Sequence, residues 1–374
     1  MRAAALLALL AVGLPVAGCG ADEDRSATTT STASVLATAG APTAGAAAAP
    51  SRLTLRQAIG QRFVFAYSGL TPPRALERRI ARGEAAGVIL FGRNVRSVAQ
   101  VRATVRRLEA IKRPAGLDAP LLVMVDHEGG PVRRLPGPPA KGAAETPSPA
   151  AARAYGRAAG DLLRSAGVNV DLAPVVDVAR ADSALANEGR TYDDDAPNVV
   201  AKAGAFAEGL KAAGVAPVLK HFPGFGAATI NTDDGAARVD LSLSALRATD
   251  LVPYRHIGAP AVMLSTAIYP RVDPRPAAFS SKWVTGELRG RLKFGGATIT
   301  DDLQTPAVAR YGSPAQLAFF AVKAGVDLPL FAKSYTAGAR AAAGLERAVK
   351  SGALTRDAIE VGAHRVLGWR GTLG

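Results

Sequence analysis

From about residue 53 the chain alternates short apolar runs with longer amphipathic segments. Eight runs stand out: Arg62 to Ala66, Gly87 to Phe91, Leu121 to Val125, Val168 to Val178, Val215 to Leu219, Ala261 to Leu264, Ala297 to Thr300 and Val326 to Phe331. Most lack strict polar–apolar alternation, so both faces of each predicted strand are expected to be buried, as in a parallel sheet. The segments between them read as helices. Ser97 precedes Val98, Val101, Val105, Leu108 and Ile111, an apolar stripe at helical spacing behind an N-cap. Ser148-Pro149 opens a helix that stops near Gly167, and Ser313-Pro314 opens one that stops near Gly325. Eight strand–helix units over some 320 residues predict a single (β/α)8 barrel across residues 53–374. A doubly wound open sheet is the alternative, but the chain has no glycine-rich phosphate loop beyond Gly224-Phe225-Gly226.

The first fifty residues break this pattern. Arg2, the apolar stretch Ala3 to Val12 and Leu14-Pro15-Val16-Ala17-Gly18-Cys19 read as a signal peptide over residues 1–18. Small residues before a cysteine resemble the lipobox of bacterial lipoproteins. Cys19 is the only cysteine, so it has no internal disulfide partner, and lipidation would account for it. Residues 19–52 are rich in Ala, Thr, Ser, Gly and Pro and read as a flexible tether. The expected location is the outer face of the cell membrane, reached through a lipid on Cys19.

Charge adds little. Lys and Arg number 45 against 31 Asp and Glu, a formal charge of +14, but the arginines are scattered through Ala-rich helices. With 5% aromatic residues and no nucleic-acid-binding motif, a nucleic-acid partner is not expected. The four histidines lack metal-ligand spacing, and neither a metal nor a nucleotide cofactor is implied. His256 and His364 fall in helical segments and read as structural. No coiled-coil or swapped segment is apparent, so a monomer is expected.

A barrel gathers polar groups at the C-terminal ends of its strands. Five of the eight runs end in suitable residues: Asp126 with His127 and Glu128; Asp177; Lys220 with His221; Ser265; and Asp301 with Asp302. Here the chain resembles a known family. Asp126-His127-Glu128-Gly129-Gly130-Pro131-Val132-Arg133-Arg134-Leu135 is similar to the D-Q-E-G-G-x-V-x-R-L signature of glycoside hydrolase family 3, in its β-N-acetylhexosaminidase branch. Leu172-Ala173-Pro174-Val175-Val176-Asp177-Val178 resembles the next signature. Asn187-Glu188-Gly189-Arg190-Thr191-Tyr192 resembles the I-G-x-R-S-F loop, Lys220 to Gly224 the K-H-F-P-G block and Thr300-Asp301-Asp302-Leu303 the S-D-D-L block. The matches run in family order over residues 55–370, as in the single-domain members.

The resemblance implies an exo-acting retaining β-glycosidase that releases terminal N-acetylglucosamine from peptidoglycan-type glycans. Asp301 would be the nucleophile. Asp126, Arg134, Arg190, Lys220 and His221 would hold the hydroxyls of the terminal sugar. Retaining hydrolysis also needs an acid about 5–5.5 Å from the nucleophile. The family supplies it as the histidine of an H-G-x-x-x-x-D-S-H loop. Here that loop reads Phe225-Gly226-Ala227-Ala228-Thr229-Ile230-Asn231-Thr232-Asp233-Asp234, which puts Asn231 at the aspartate and Asp233 at the histidine. Three readings stay open at this point. Asp233 or Asp234 serves as the acid; another carboxyl, Glu188 or Glu128, takes the role; or the protein binds glycan without cleaving it efficiently. A β-glucoside or other β-glycoside is open as the substrate of a working enzyme.

Overall fold

The computed structural model describes residues 53–373; the targeting segment, Cys19 and the tether lie outside them. Seven strands form one parallel sheet in chain order: Val64–Phe65, Gly87–Ile89, Leu122–Val125, Val170–Asp171, Ala216–Phe222, Ala261–Leu264 and Ala297–Thr300. Successive side chains of a strand point to opposite faces, and here the two sets enter different cores. Val64, Ile89, Leu122, Met124, Val170, Val218, Met263 and Ile299 share the inner cluster, which Val366 and Trp369 also join. Phe65, Val88, Val123, Val125, Leu219, Val262 and Leu264 pack outward against the helices. A curled sheet with helices on its convex side is the arrangement that the unalternating runs require.

The eighth run differs from expectation. Residues 326–331 form no ladder, so the sheet is a seven-stranded curl and not an eight-stranded closed one. Single bridges join the segment to both sheet edges, Leu328 to Ile299 and Phe331 to Phe65. The cause is local. Pro329 has no N–H to give, and side chains replace ladder bonds on either side of it. Asp327 N donates to Thr298 Oγ1 at 2.9 Å, and Leu330 N donates to Thr300 Oγ1 at 2.9 Å. The run at 168–178 is shortened in the same way. Beyond Asp171 it continues past Pro174 as one bridge, Val175 to Lys220.

The helix punctuation is where the sequence placed it. Ser97 Oγ accepts Gln100 N and Ser148 Oγ accepts Ala151 N, both at 3.2 Å, opening Val98–Glu109 and Pro149–Ala166. Gly167 (φ 83°) and Gly325 (φ 102°) end their helices in the left-handed conformation that glycine adopts without steric cost. His256 and His364 lie in the helices Val252–His256 and Arg356–Gly371. No helix among the described residues is long and apolar enough to cross a membrane.

The helices Pro149–Ala166 and Ala196–Ala212 approach closely through glycines. A Cβ on Gly156 would overlap the Phe206 carbonyl oxygen. Gly204, in the same helix pair, would meet only Ile257 Cγ1 at 3.6 Å. Gly156→Ala should therefore destabilise the protein by about 1–3 kcal/mol through overpacking, despite alanine's better helix propensity. Gly204→Ala should be neutral or stabilising. Thermal unfolding of both variants checks this; equal effects would contradict it.

Candidate active site

A pocket of about 440 Å³ opens where the C-terminal ends of the strands meet. Asp126, Arg134, Arg190, Lys220, His221, Asp233 and Asp301 all line it. The seven residues expected at the site thus come together from positions 175 apart in sequence at the extremes.

Strand alternation explains the first wall. After Leu122–Val125 the chain runs into a hairpin, His127–Gly129 with Val132–Arg133. Asp126 and Glu128 fall on the pocket side and His127 on the other. His127 is buried and its Nε2 donates to Pro138 O at 2.9 Å. Burial lowers its pKa, so the ring is neutral and structural. Lys220 extends from the seven-residue strand Ala216–Phe222 and is only 2% exposed. Its Nζ contacts Asp126 Oδ1 at 2.8 Å and Glu128 Oε1 at 2.7 Å. Arg190 completes the cluster by a bidentate pair with Glu128, Nη2 to Oε1 at 2.8 Å and Nε to Oε2 at 2.9 Å. Arg134 stands further off, 3.9 Å from Asp126 Oδ2, with its guanidinium 5.7 Å from the Phe91 ring centre.

Burial opposes the charge on Glu128, yet Lys220 and Arg190 outweigh it and hold this carboxyl well below the usual carboxylate range. Burial likewise opposes the charge on Lys220, but Asp126 and Glu128 outweigh it and raise the ammonium pKa. Glu128 and Lys220 therefore both stay charged at neutral pH. A carboxylate so held is a poor proton donor, and Glu128 drops out as the acid. Glu188 is engaged on both oxygens: Oε2 accepts from Arg190 Nη1 at 2.9 Å and Oε1 from Asn231 Nδ2 at 2.7 Å.

His221 lines the pocket through a strand-end arrangement that Asp177 fixes. Asp177 Oδ2 sits 2.7 Å from His221 Nδ1, and Oδ1 accepts Phe225 N at 2.6 Å. Asp177 is thus fully buried behind the histidine and ties down the start of the following loop. Ser265 does not reach the pocket. It is buried, and its Oγ accepts Ala267 N at 3.0 Å.

The opposite wall carries Asp301 and Asp302, which follow Ala297–Thr300. Asp301 N donates to Leu264 O at 2.8 Å, and Thr232 Oγ1 donates to Asp301 Oδ2 at 3.3 Å. Asp302 Oδ1 accepts Gln304 N and Ala332 N, each at 2.9 Å, so this carboxyl clamps the neighbouring turn. Burial pushes its pKa up to about 6. Asp233, next to Thr232, is exposed as a residue yet lines the pocket. Partial desolvation, then the Asp301 charge, raise its pKa, against a smaller opposing pull from Lys333, Arg190 and His221.

Phe91, Arg93 and Lys333 also line the pocket and were missed in the sequence. Phe91 ends the second apolar run, Arg93 follows it and Lys333 follows the eighth, so position at a strand end was the one available signal. Among the described residues no cluster of three or more His, Cys, Asp or Glu is arranged to hold a metal ion.

With this geometry in view, comparison with known proteins is decisive. The profile of the glycosyl hydrolase family 3 N terminal domain matches residues 54–368. The chain belongs to glycoside hydrolase family 3. A secreted glycosyl hydrolase of Arthroderma benhamiae is 36% identical over 337 residues, covering 86% of this chain and 95% of the relative. A solved β-N-acetylhexosaminidase from Beutenbergia cavernae is 33% identical with a TM-score of 0.79, over 86% of this chain and 99% of that one. A family 3 β-N-acetylglucosaminidase from Paenibacillus is 30% identical with a TM-score of 0.79, over 86% of this chain. The present chain spans 63% of that longer protein, less than two thirds of it.

Beneath the cluster, Asp171 is fully buried, with Oδ1 accepting His127 N at 2.9 Å and Oδ2 unpartnered. Burial raises its pKa to about 8. The folded state therefore holds a proton that the unfolded chain releases near pH 4, and this group's contribution to stability falls as pH rises from about 4 to 8. Asp171→Asn keeps the acceptor and removes the titration. Its melting temperature relative to wild type should rise steadily between pH 5 and pH 8. A constant difference across that range would contradict the assignment.

Proposed function

We propose that this protein is an exo-acting retaining β-N-acetylhexosaminidase, with Asp301 as nucleophile and Asp233 as general acid/base. The observation that carries the reading is the joint placement of these two carboxyls in one pocket, where Thr232, the neighbour of Asp233, donates to Asp301, opposite a buried cationic clamp. Asp126, Arg134, Arg190, Lys220 and His221 bind the hydroxyls of the terminal sugar. In the first step a carboxylate oxygen of Asp301 attacks the anomeric carbon as the glycosidic C–O bond breaks. Asp233 gives its proton to the departing oxygen. In the second step water attacks the anomeric carbon, Asp233 takes its proton, and the ester bond to Asp301 breaks. The raised pKa of Asp233 suits the acid role, because the group must be protonated when the first step begins.

The β-N-acetylhexosaminidase and β-N-acetylglucosaminidase identities of the solved relatives support N-acetylglucosamine as the sugar released, and peptidoglycan-type glycans are the proposed source. The secreted relative supports export. We read residues 1–18 as the signal peptide, Cys19 as the lipidated residue and residues 20–52 as the tether to a monomeric catalytic domain on the outer face of the cell membrane. We read the curled sheet as a (β/α)8 barrel whose seam runs through the bridged segment at 328–331.

A chromogenic N-acetylglucosaminide tests the reading. Asp301→Asn should lose at least about 1,000-fold in kcat, as expected when a covalent nucleophile is removed. Wild type should show a bell-shaped pH profile whose basic limb lies above the range of an ordinary aspartate. Asp233→Asn should lose that limb and about 100- to 10,000-fold in rate on an unactivated substrate. An Asp301→Asn protein as active as wild type would end the proposal.

A further inference from the structure

Three departures from the family's motifs meet in space. Glu188 stands where the I-G-x-R-S-F loop has glycine. Asn231 and Asp233 stand where the later loop has aspartate and histidine. These positions are 43 residues apart along the chain, yet Asn231 Nδ2 donates to Glu188 Oε1 at 2.7 Å. Asn231 Oδ1 in turn accepts Asp233 N at 3.1 Å, and Asn231 O accepts Asp234 N at 3.0 Å and Gly235 N at 3.1 Å. On its other side Glu188 is held by Arg190, which is itself locked bidentately to Glu128. An unbroken chain of hydrogen bonds thus runs from the buried Lys220 cluster to the backbone of Asp233.

We propose that Glu188 is a positioning residue for the acid/base loop, anchoring Asn231 so that Asp233 is held beside Asp301. The inference rests on Asp233 as the acid/base. The loop needs such an anchor. Phe225 and Ala228 seat the start of the loop in the core, but beyond them Thr229, Ile230, Asp233 and Asp234 are exposed, with Ile230 at 49%, so apolar burial does little to order the second half. Thr232 is the buried exception, and its bond to Asp301 is long at 3.3 Å. A charge-assisted bond from a carboxylate already fixed by Arg190 supplies directional order at small entropic cost. Glycine at position 188 would offer no acceptor. The structure therefore reassigns Glu188 from candidate acid to the support of the acid.

The test separates positioning from simple substrate binding. Proton donation matters most for poor leaving groups and least for activated ones, so a misplaced acid steepens the dependence of rate on leaving-group pKa. A series of aryl N-acetylglucosaminides is assayed with wild type, Glu188→Ala, Glu188→Gln, Asn231→Ala and Asp233→Asn. Glu188→Ala and Asn231→Ala should each lower kcat/KM roughly 10- to 100-fold for the poorest leaving groups, with little loss for a dinitrophenyl glycoside. Glu188→Gln, which keeps an oxygen for the Asn231 amide, should restore most of the loss. Glu188 lies at the pocket rim with its side chain 37% exposed, so its removal leaves the core intact.

If Asp233→Asn steepens the dependence and Glu188→Ala does not, Glu188 is not a positioning residue while the acid/base reading stands. If Glu188→Ala lowers all substrates equally, it supports only the sugar clamp through Arg190, and the proposal fails. If neither variant changes the slope, the assignment of Asp233 falls and takes this proposal with it.

Discussion

One buried ammonium group organises this molecule. Lys220 ends up almost without solvent contact between Asp126 and Glu128, and Glu128 is shared with Arg190. Two cations and two anions in a low-dielectric site are tolerable only if each is paired, and removing one partner strands the others at a cost of about 3–5 kcal/mol. The four groups come from the end of Leu122–Val125 and its hairpin, from the loop at 188–190 and from Ala216–Phe222. Their pairing therefore fixes three separate chain segments against one another at the rim of the sheet. The same pairing leaves oriented donors and acceptors facing the pocket, which is what recognition of a pyranose ring requires.

Given that clamp, the chemistry follows from how the pocket divides its carboxyls. Glu128 is forced to stay ionised by the cations beside it. Asp302 is pushed towards neutrality by burial and spent on backbone amides. Asp233 is raised by desolvation and by Asp301, across a short loop from the clamp. Similar side chains thus meet different surroundings within one pocket, which is the means by which a site can divide acid and nucleophile roles between carboxyls. The loop from Phe225 to Asp234 carries a carboxyl, Asp233, where the family motif it resembles has histidine, and its Asn231 contacts Glu188. Asp177 holds the start of this loop through Phe225 N and so ties it to the strand end that carries His221.

Much of this was legible in the sequence, for identifiable reasons. The strands were visible because both faces are buried, which leaves continuous apolar runs. The helix boundaries were visible because Ser97, Ser148, Gly167 and Gly325 act locally. Asp126, Lys220, His221 and Asp301 were visible because strand ends, once the topology is known, must converge, whereas Arg134, Arg190 and Asp233 lie in loops and were marked only by their resemblance to the family's motifs. What escaped depended on three-dimensional detail. Pro329 replaced a ladder with bridges, and the side chains that substitute for it, Thr298, Thr300 and Asp327, look like ordinary strand polar residues. Ser265 occupied a strand end yet turned to its own backbone. His127 fell on the far side of a hairpin by one step of alternation. Phe91, Arg93 and Lys333 reach the pocket from runs whose ends carried no motif. The role of Glu188 could not be read at all until Asn231 was seen beside it.

The central claim is that Asp301 attacks the sugar while the clamp holds it. Mass spectrometry of the protein after reaction with a slow, fluorinated, activated N-acetylglucosaminide tests this most directly. The account predicts a stoichiometric glycosyl adduct on the peptide carrying Thr300-Asp301-Asp302, with fragmentation placing it on Asp301. An adduct on another carboxylate, or turnover of the reagent without any covalent species, would contradict it.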